Sequence, residues 1–343
     1  MAGPAGASLA TAYDLLMFDL DGVVYIDGRA VAHASRSIAR AREAGAHIAF
    51  ITNNASRTPE QVATHLEKLG IAAAPGDVVT SSQAAARLLL DAHGAGAPIS
   101  VLGSQGLVEA VEAAELEAVA VGDPRAVAVV SGFDPDVRWR VIMRAATLIR
   151  GGLPWVATNT DLTLPTGNGL APGHGMLVRL ISEFAGVTPE VAGKPRRPLL
   201  EETRRRVQGR RPLMVGDRLD TDIAGATEAE TDSLLVMTGV SSLDDLVHAT
   251  ADQRPTWIGH DLTALHRPGV AAARDEGRRF RAGPWTAWQE SRRLRVEGRG
   301  DSAQDLDAWW TAAAAAAWDH LDRTGEAVDT GAVTPPGLST ESG

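Results

Sequence analysis

The chain has 343 residues, 44% of them hydrophobic and 22% charged, and a net charge of -10. That is the balance of a globular protein with room for two domains and a tail, and its acidity argues against nonspecific nucleic-acid binding or an anionic membrane surface. Cysteine is absent, which excludes disulfides, zinc-thiolate centres and thiol catalysis.

Residues 1-12 are small and featureless and read as a mobile lead-in. No basic region followed by a long apolar stretch opens the chain, and no apolar run is long enough to span a bilayer. A cytoplasmic protein without a signal peptide is expected. The first strand is the apolar run Leu15-Leu16-Met17-Phe18, which stops at Asp19-Leu20-Asp21-Gly22. In parallel sheets ligands bind beyond the carboxyl ends of strands, so Asp19 and Asp21 stand where chemistry is usually placed. Two carboxylates two residues apart repel unless a cation lies between them, and a hard ion such as Mg2+ answers that need. The same four residues could also be a plain strand-ending turn.

A helical mixture over residues 33-44 ends at Gly45. A second buried strand, His47 to Ile51, ends in Thr52-Asn53-Asn54. A hydroxyl, amides and turn N-H groups suit phosphate oxygens; they also suit a helix N-cap. A helix follows from Pro59 to about Leu69. Strand and helix alternate at the interval of βαβ units and a parallel sheet. After a short strand over 77-82, the alternation restarts: helix 83-92, strand 99-102, helix 105-114, strand 126-131, helix 136-149, strand 154-157. This reads as a second α/β unit inserted into the first. It closes with a long glycine-rich loop carrying Asn159, Asp161, Gly167 and His174, before a helix over 175-185. Long loops of this kind are often functional, and a substrate contact is the expectation for these residues. For His174 a surface or structural loop residue is the first reading and a substrate contact the second.

Beyond the insertion comes Gly193-Lys194-Pro195. Lys68 and Lys194 are the only lysines in an otherwise arginine-based chain. An ammonium presented between glycine and proline can hold a phosphate or offset an aspartate; a solvated loop lysine is the alternative. The run Pro212-Leu213-Met214-Val215-Gly216 then stops at Asp217, with Asp220 and Asp222 following as a helix begins. Asp217 is the natural further metal ligand, with Asp222 supporting it from behind. Strands over 232-237 and 255-258 flank a helix over 242-247. Residues 274-300 are arginine-rich and read as irregular. A helix over 303-322 carries Trp309, Trp310, six alanines and Trp318, and reads as docking on the core, with a dimer contact as second choice. The last twenty residues, with Pro335-Pro336, read as disordered.

The ordered set Asp19-Leu20-Asp21-Gly22, Thr52-Asn53-Asn54, Gly193-Lys194-Pro195 and Gly216-Asp217-Arg218-Leu219-Asp220-Thr221-Asp222 resembles the haloacid dehalogenase-like phosphatases. The Thr-Asn-Asn form and the position of the insertion resemble subfamily IIA, the 4-nitrophenylphosphatase type with a C2 cap. Residues 52-57 and 257-262 resemble the actinobacterial branch that hydrolyses glycerol 3-phosphate.

The resemblance implies an α/β fold: a Rossmann-like parallel-sheet core over 1-82 and 187-269, an inserted α/β C2-type cap over 83-186, and a C-terminal extension over 270-343. It implies a Mg2+-dependent phosphatase working through an aspartyl-phosphate. Asp19 would be the nucleophile and Asp21 the general acid and base. Thr52, Asn53, Asn54 and Lys194 would bind phosphate. Asp19, Asp21 (through its backbone carbonyl) and Asp217 would hold the metal. Asn159, Asp161 and His174 would face the substrate from the cap. Glycerol 3-phosphate is the expected ester. Alternatives are a nucleoside monophosphate, phosphoglycolate or pyridoxal phosphate, or a non-catalytic phosphate sensor. The expected partners are a small phosphate ester and a second copy of the chain, without nucleic acid or membrane.

Overall fold

The computed structural model describes residues 6-166, 169-331 and 333-337. The chain divides into two compact units. One comprises residues 1-48, 69-71 and 209-343, the other residues 49-68 and 72-208.

In the first unit, strand Leu15–Phe18 pairs in parallel with Pro212–Gly216, that strand with Asp232–Val236, and that one with Trp257–Gly259. Leu15, Leu16, Met17 and Phe18 have no exposed surface, as strands covered on both faces require. Each such side chain withdrawn from water is worth about 1.5–3 kcal/mol. The register Phe18 to Val215 brings Asp19 and Gly216-Asp217 to the same end of neighbouring strands. Helix Ala34–Glu43 follows the first strand and stops where Gly45 turns at φ 93°. His47 N–H then donates to the Asp14 carbonyl at 2.9 Å, which starts strand His47–Thr52.

The chain's opening is more ordered than its composition suggests. Leu9–Ala12 is a short helix with Leu9, Ala10 and Ala12 buried; the lead-in's residues 1-5 lie outside the described residues.

The arginine-rich stretch is not irregular. It is an antiparallel sheet of Ala273–Arg274, Phe280–Ala282, Trp285–Glu290 and Arg293–Gly298. Phe280, Ala282, Trp285, Ala287 and Leu294 point inward while Arg281, Arg293 and Arg295 take other positions, the period of two of a half-buried sheet. Short strands and abundant arginine hide that period. Helix Ala303–Thr324 packs on this sheet. It is opened by Ser302, whose hydroxyl accepts from Asp305 N–H at 3.1 Å, and closed by Gly325 at φ 73°. Its alanines let it lie close: Ala312, Ala313, Ala314, Ala316 and Ala317 are all buried. Trp309 and Trp310 are buried too, packed with Leu219, Ile223, Leu246 and Val247, and Trp318 Nε1 donates to the Leu246 carbonyl at 2.8 Å. These tryptophans dock the helix, so a dimer contact through Trp310 does not hold. Of the last twenty residues, 332 and 338-343 lie outside the described residues; residue 328 is buried against the same core.

In the second unit, the rest of strand His47–Thr52 pairs with Val78–Thr80 through Phe50 to Val78 and Thr52 to Thr80. A five-stranded parallel sheet runs in the order Glu190–Val191, Trp155–Ala157, Ala128–Ser131, Pro98–Leu102, Glu117–Val119. Helices Gln105–Ala113, Trp139–Arg150 and His174–Ala185 accompany it. Glu117–Val119 is a strand that the sequence pattern does not reveal, being short and partly exposed. The glycine-rich loop is less irregular than expected: Thr163–Thr166 and Gly169–Pro172 pair as an antiparallel hairpin. Gly167, singled out in that loop, lies outside the described residues.

Candidate active site

Each unit carries one cluster of the singled-out residues. In the first unit, carboxylate oxygens of Asp19, Asp217 and Asp222 all lie within 4.8 Å of one another. Asp217 and Asp222 are fully buried. The backbone arranges them. Asp19 N–H donates to the Val215 carbonyl at 2.9 Å, extending the strand pairing to Asp19. Asp222, within the helical turn Leu219–Ile223, accepts at its Oδ2 from the N–H groups of Asp217 at 3.2 Å and Arg218 at 3.1 Å. Asp222 thus belongs to the cluster and also braces Asp217 from behind. Asp220 points elsewhere, pairing with Arg218 at 2.7 Å.

Asp21 sits one step outward on an exposed turn. That turn is closed by Gly22 N–H donating to the Tyr25 carbonyl at 2.9 Å, and the Asp21 side chain is not among the three grouped carboxylates.

A further segment completes this cluster, one that sequence reasoning missed. Thr238 Oγ1 donates to the Gly22 carbonyl at 2.7 Å, and Val240 N–H donates to Asp217 Oδ2 at 2.7 Å. A Cβ on Gly239 would lie 2.0 Å from Asp217 Oδ2, so only glycine lets the backbone come this close. The signal was there: Thr238-Gly239-Val240-Ser241 follows the end of another strand, but it carries no charge.

Three carboxylates so close, two of them buried, repel one another and lose hydration. A divalent cation with oxygen ligands relieves both costs, so the donor set fits Mg2+.

In the second unit, Thr52, Asn53, Asn159, Asp161 and Lys194 meet. Asn53 Nδ2 donates to the Lys194 carbonyl at 2.9 Å and lies 3.2 and 3.3 Å from the two Asp161 oxygens. Its Oδ1 accepts from Lys194 N–H at 2.9 Å, and its backbone carbonyl accepts from Asn159 Nδ2 and Ser81 Oγ, each at 2.7 Å. A Cβ on Gly193 would press on Asn53 Oδ1 and the Thr158 carbonyl, each at 2.6 Å, which explains the glycine before the lysine. Lys194 is only 2% exposed. A buried ammonium belongs where anionic groups meet it. Thr52 Oγ1 accepts from Asn54 N–H at 3.0 Å, which leaves its hydroxyl hydrogen to donate. The Asn54 carbonyl oxygen is used locally, by Ser56 N–H at 2.9 Å and Ser56 Oγ at 2.7 Å.

His174 is not a surface loop residue. It begins helix His174–Ala185, is buried, and its Nε2 lies 3.2 Å from Ser131 Oγ. Trp155 Nε1 donates to that same hydroxyl at 2.8 Å. Burial pushes the His174 pKa down to about 4.

With this geometry in view, comparison with known proteins is decisive. A haloacid dehalogenase-like hydrolase model matches residues 16–117, and a second model of that kind matches residues 191–265. A D-glycerol 3-phosphate phosphatase from Mycobacterium tuberculosis is 44% identical over 260 residues, 76% of this chain and 73% of that one. The chain belongs to the haloacid dehalogenase-like hydrolases. Among solved members, the M. tuberculosis glycerol phosphate phosphatase in complex with magnesium has a TM-score of 0.82 at 40% identity, covering 91% of this chain and 92% of that one. A thermostable NPPase from Geobacillus stearothermophilus has a TM-score of 0.65 at 35% identity, covering 73% of this chain and 96% of that one. The likeness to the magnesium complex covers 91% of the chain, so it reaches beyond residue 269 into the C-terminal region. Among the described residues, no helix is long and apolar enough to cross a membrane.

Proposed function

We propose that this hydrolase is a cytoplasmic Mg2+-dependent phosphatase that releases glycerol and phosphate from glycerol 3-phosphate. The grouping of Asp19 with Asp217 and Asp222 at adjacent strand ends carries the reading. The 44% identity to a D-glycerol 3-phosphate phosphatase supports the choice of ester.

In this mechanism, an Asp19 oxygen attacks phosphorus and the bond to the ester oxygen breaks. Asp21 gives its proton to the departing alkoxide, so glycerol leaves neutral. Asp21, now a carboxylate, takes a proton from water, whose oxygen attacks the same phosphorus and restores the Asp19 carboxylate. Asp19, the Asp21 carbonyl and Asp217, with Asp222 behind, would hold Mg2+, which would supply positive charge against the phosphoryl oxygens. Thr52 and Lys194 take the remaining phosphoryl oxygens, with N–H groups of the 52-54 turn beside them. The inserted segment acts as a cap that chooses the leaving group through its 159-175 loop.

The experiment is phosphate release from glycerol 3-phosphate, UMP, phosphoglycolate and pyridoxal phosphate, with Mg2+ and with chelator. Preference for glycerol 3-phosphate that chelator abolishes is the expected result. Preference for another ester would discard the substrate and keep the chemistry. Absence of Mg2+-dependent turnover would discard both.

The reading includes a homodimer. Trp139, Met143, Met176 and Phe184 stand exposed on helices Trp139–Arg150 and His174–Ala185, apolar side chains that a second copy could cover. Sedimentation of the wild type against a Trp139→Lys, Met143→Lys pair tests it: a monomeric wild type rejects the dimer.

A further inference from the structure

The Asn53 side chain has two amide hydrogens and one oxygen to offer. One hydrogen goes to the Lys194 carbonyl at 2.9 Å, the other faces the Asp161 carboxylate at 3.2 and 3.3 Å, and the oxygen takes Lys194 N–H at 2.9 Å. As placed, the amide has no hydrogen left for a phosphate. Asp161 is itself anchored. Its N–H donates to Asn159 Oδ1 at 3.1 Å and its carbonyl accepts from Gly175 N–H at 2.8 Å, in the first turn of helix His174–Ala185. Asn159 in turn grips the Asn53 carbonyl at 2.7 Å. A carboxylate facing a phosphate would repel it, whereas both Asp161 oxygens lie against an amide nitrogen.

We infer that Asp161 is a positioning residue: it fixes which way the Asn53 amide faces, and through that amide the backbone that presents Lys194 to the phosphate. The direction of an amide matters here because its two ends are opposite in polarity. Reversed, Asn53 would set an oxygen against the Lys194 carbonyl and an N–H against the Lys194 N–H. Asp161, as a pure acceptor, admits one of the two orientations. Asp161 therefore governs affinity for the phosphoryl group that every ester shares, and not the choice of alcohol. This rests on the phosphatase reading above and deepens it.

The test is competitive inhibition by inorganic phosphate, measured with Mg2+ beside the Michaelis constants for glycerol 3-phosphate and for para-nitrophenyl phosphate. Asp161→Ala should weaken all three by a common factor of about tenfold with kcat nearly kept, the cost of losing a charge-assisted bond. Asp161→Asn, which keeps an acceptor oxygen, should recover most of that loss. Asn53→Asp sets two carboxylates face to face and should lose more, and adding Asp161→Asn to it should restore binding. This pair also answers if Asp161→Ala fails to fold, as its melting curve would reveal. A loss confined to glycerol 3-phosphate would overturn the inference in favour of an alcohol contact. Unchanged phosphate inhibition in Asp161→Ala would also overturn it. Lys194→Ala separates the two levels: loss of phosphate inhibition there but not in Asp161→Ala leaves the phosphatase reading standing, whereas a wild type without turnover removes the reading itself.

Discussion

The two clusters solve opposite electrostatic problems. In the first unit, Asp19, Asp217 and Asp222 concentrate negative charge within 4.8 Å, and backbone N–H groups of residues 217, 218 and 240 hold the carboxylates there. In the second unit, the neutral Asn53 amide bonds both backbone groups of Lys194, and the Asn159 amide and the Ser81 hydroxyl hold the Asn53 carbonyl, which leaves a buried ammonium in a set frame. A charged cluster asks for a counter-ion and changes when one arrives. An amide clamp is satisfied as it stands, so its geometry precedes the ligand. Substitutions in the first unit should therefore read out as chemistry and metal dependence, and those in the second as binding and folding.

The largest expected effect is Asp19→Asn, which removes the proposed nucleophile. It should lower kcat by at least about 10³-fold with an unchanged melting curve. Retained turnover would end the assignment of this cluster to chemistry.

Next is Asp307→Ala. Asp307 sits 2.7 Å from His260 Nδ1 and 2.5 Å from Arg267 Nη2, and it accepts from His260 N–H at 2.8 Å. Breaking a buried network of this kind costs about 3 kcal/mol, which should appear as a lower unfolding midpoint in denaturant. An equal fall in kcat would mean that the C-terminal helix takes part in the chemistry.

Gly239→Ala should force Asp217 aside. About 10–100-fold more Mg2+ should then be needed for half-maximal activity, with little change at saturation. An unaltered Mg2+ requirement would detach Asp217 from the metal.

The smallest effect belongs to the second unit. His174 is neutral when folded, its pKa lowered to about 4 from 6.5, so the unfolded chain binds a proton first as pH falls. Stability is full above about pH 6.5 and declines as pH drops toward 4, by roughly 1.4 kcal/mol at about pH 5.5. His174→Gln should flatten that part of the stability profile. An identical slope in the variant would show that His174 is not its source.

Much of the first cluster was legible because its strands announce themselves: uninterrupted apolar runs that stop at Asp19 and Asp217. The fourth contributor, Thr238-Gly239-Val240, escaped because a backbone N–H leaves no trace in side-chain chemistry. Asn53 stands out in the sequence as a phosphate binder; in the fold its side chain turns toward Lys194 and Asp161. Amides are donors and acceptors at once, and only the fold decides which partners they meet. His174 was ambiguous for the same reason, since a histidine after Pro-Gly reads alike in a loop or at the start of a buried helix. Residues 274-300 misled because arginine dominates the outer face of a sheet whose inner face is small and aromatic.

Hydrophobic runs, strand-end acids and the order of the motifs are properties of the chain itself, and they sufficed for the α/β class, the family and the pairing of Asp19 with Asp217 at neighbouring strand ends. Hydrogen-bond direction, the closeness of Gly239 to Asp217 and the spending of Trp309 and Trp310 on the core were decided by tertiary structure alone. The physical reason is range. Patterning acts between neighbours a few residues apart, whereas Asn53 meets Asp161 and Lys194 across 108 and 141 residues of chain.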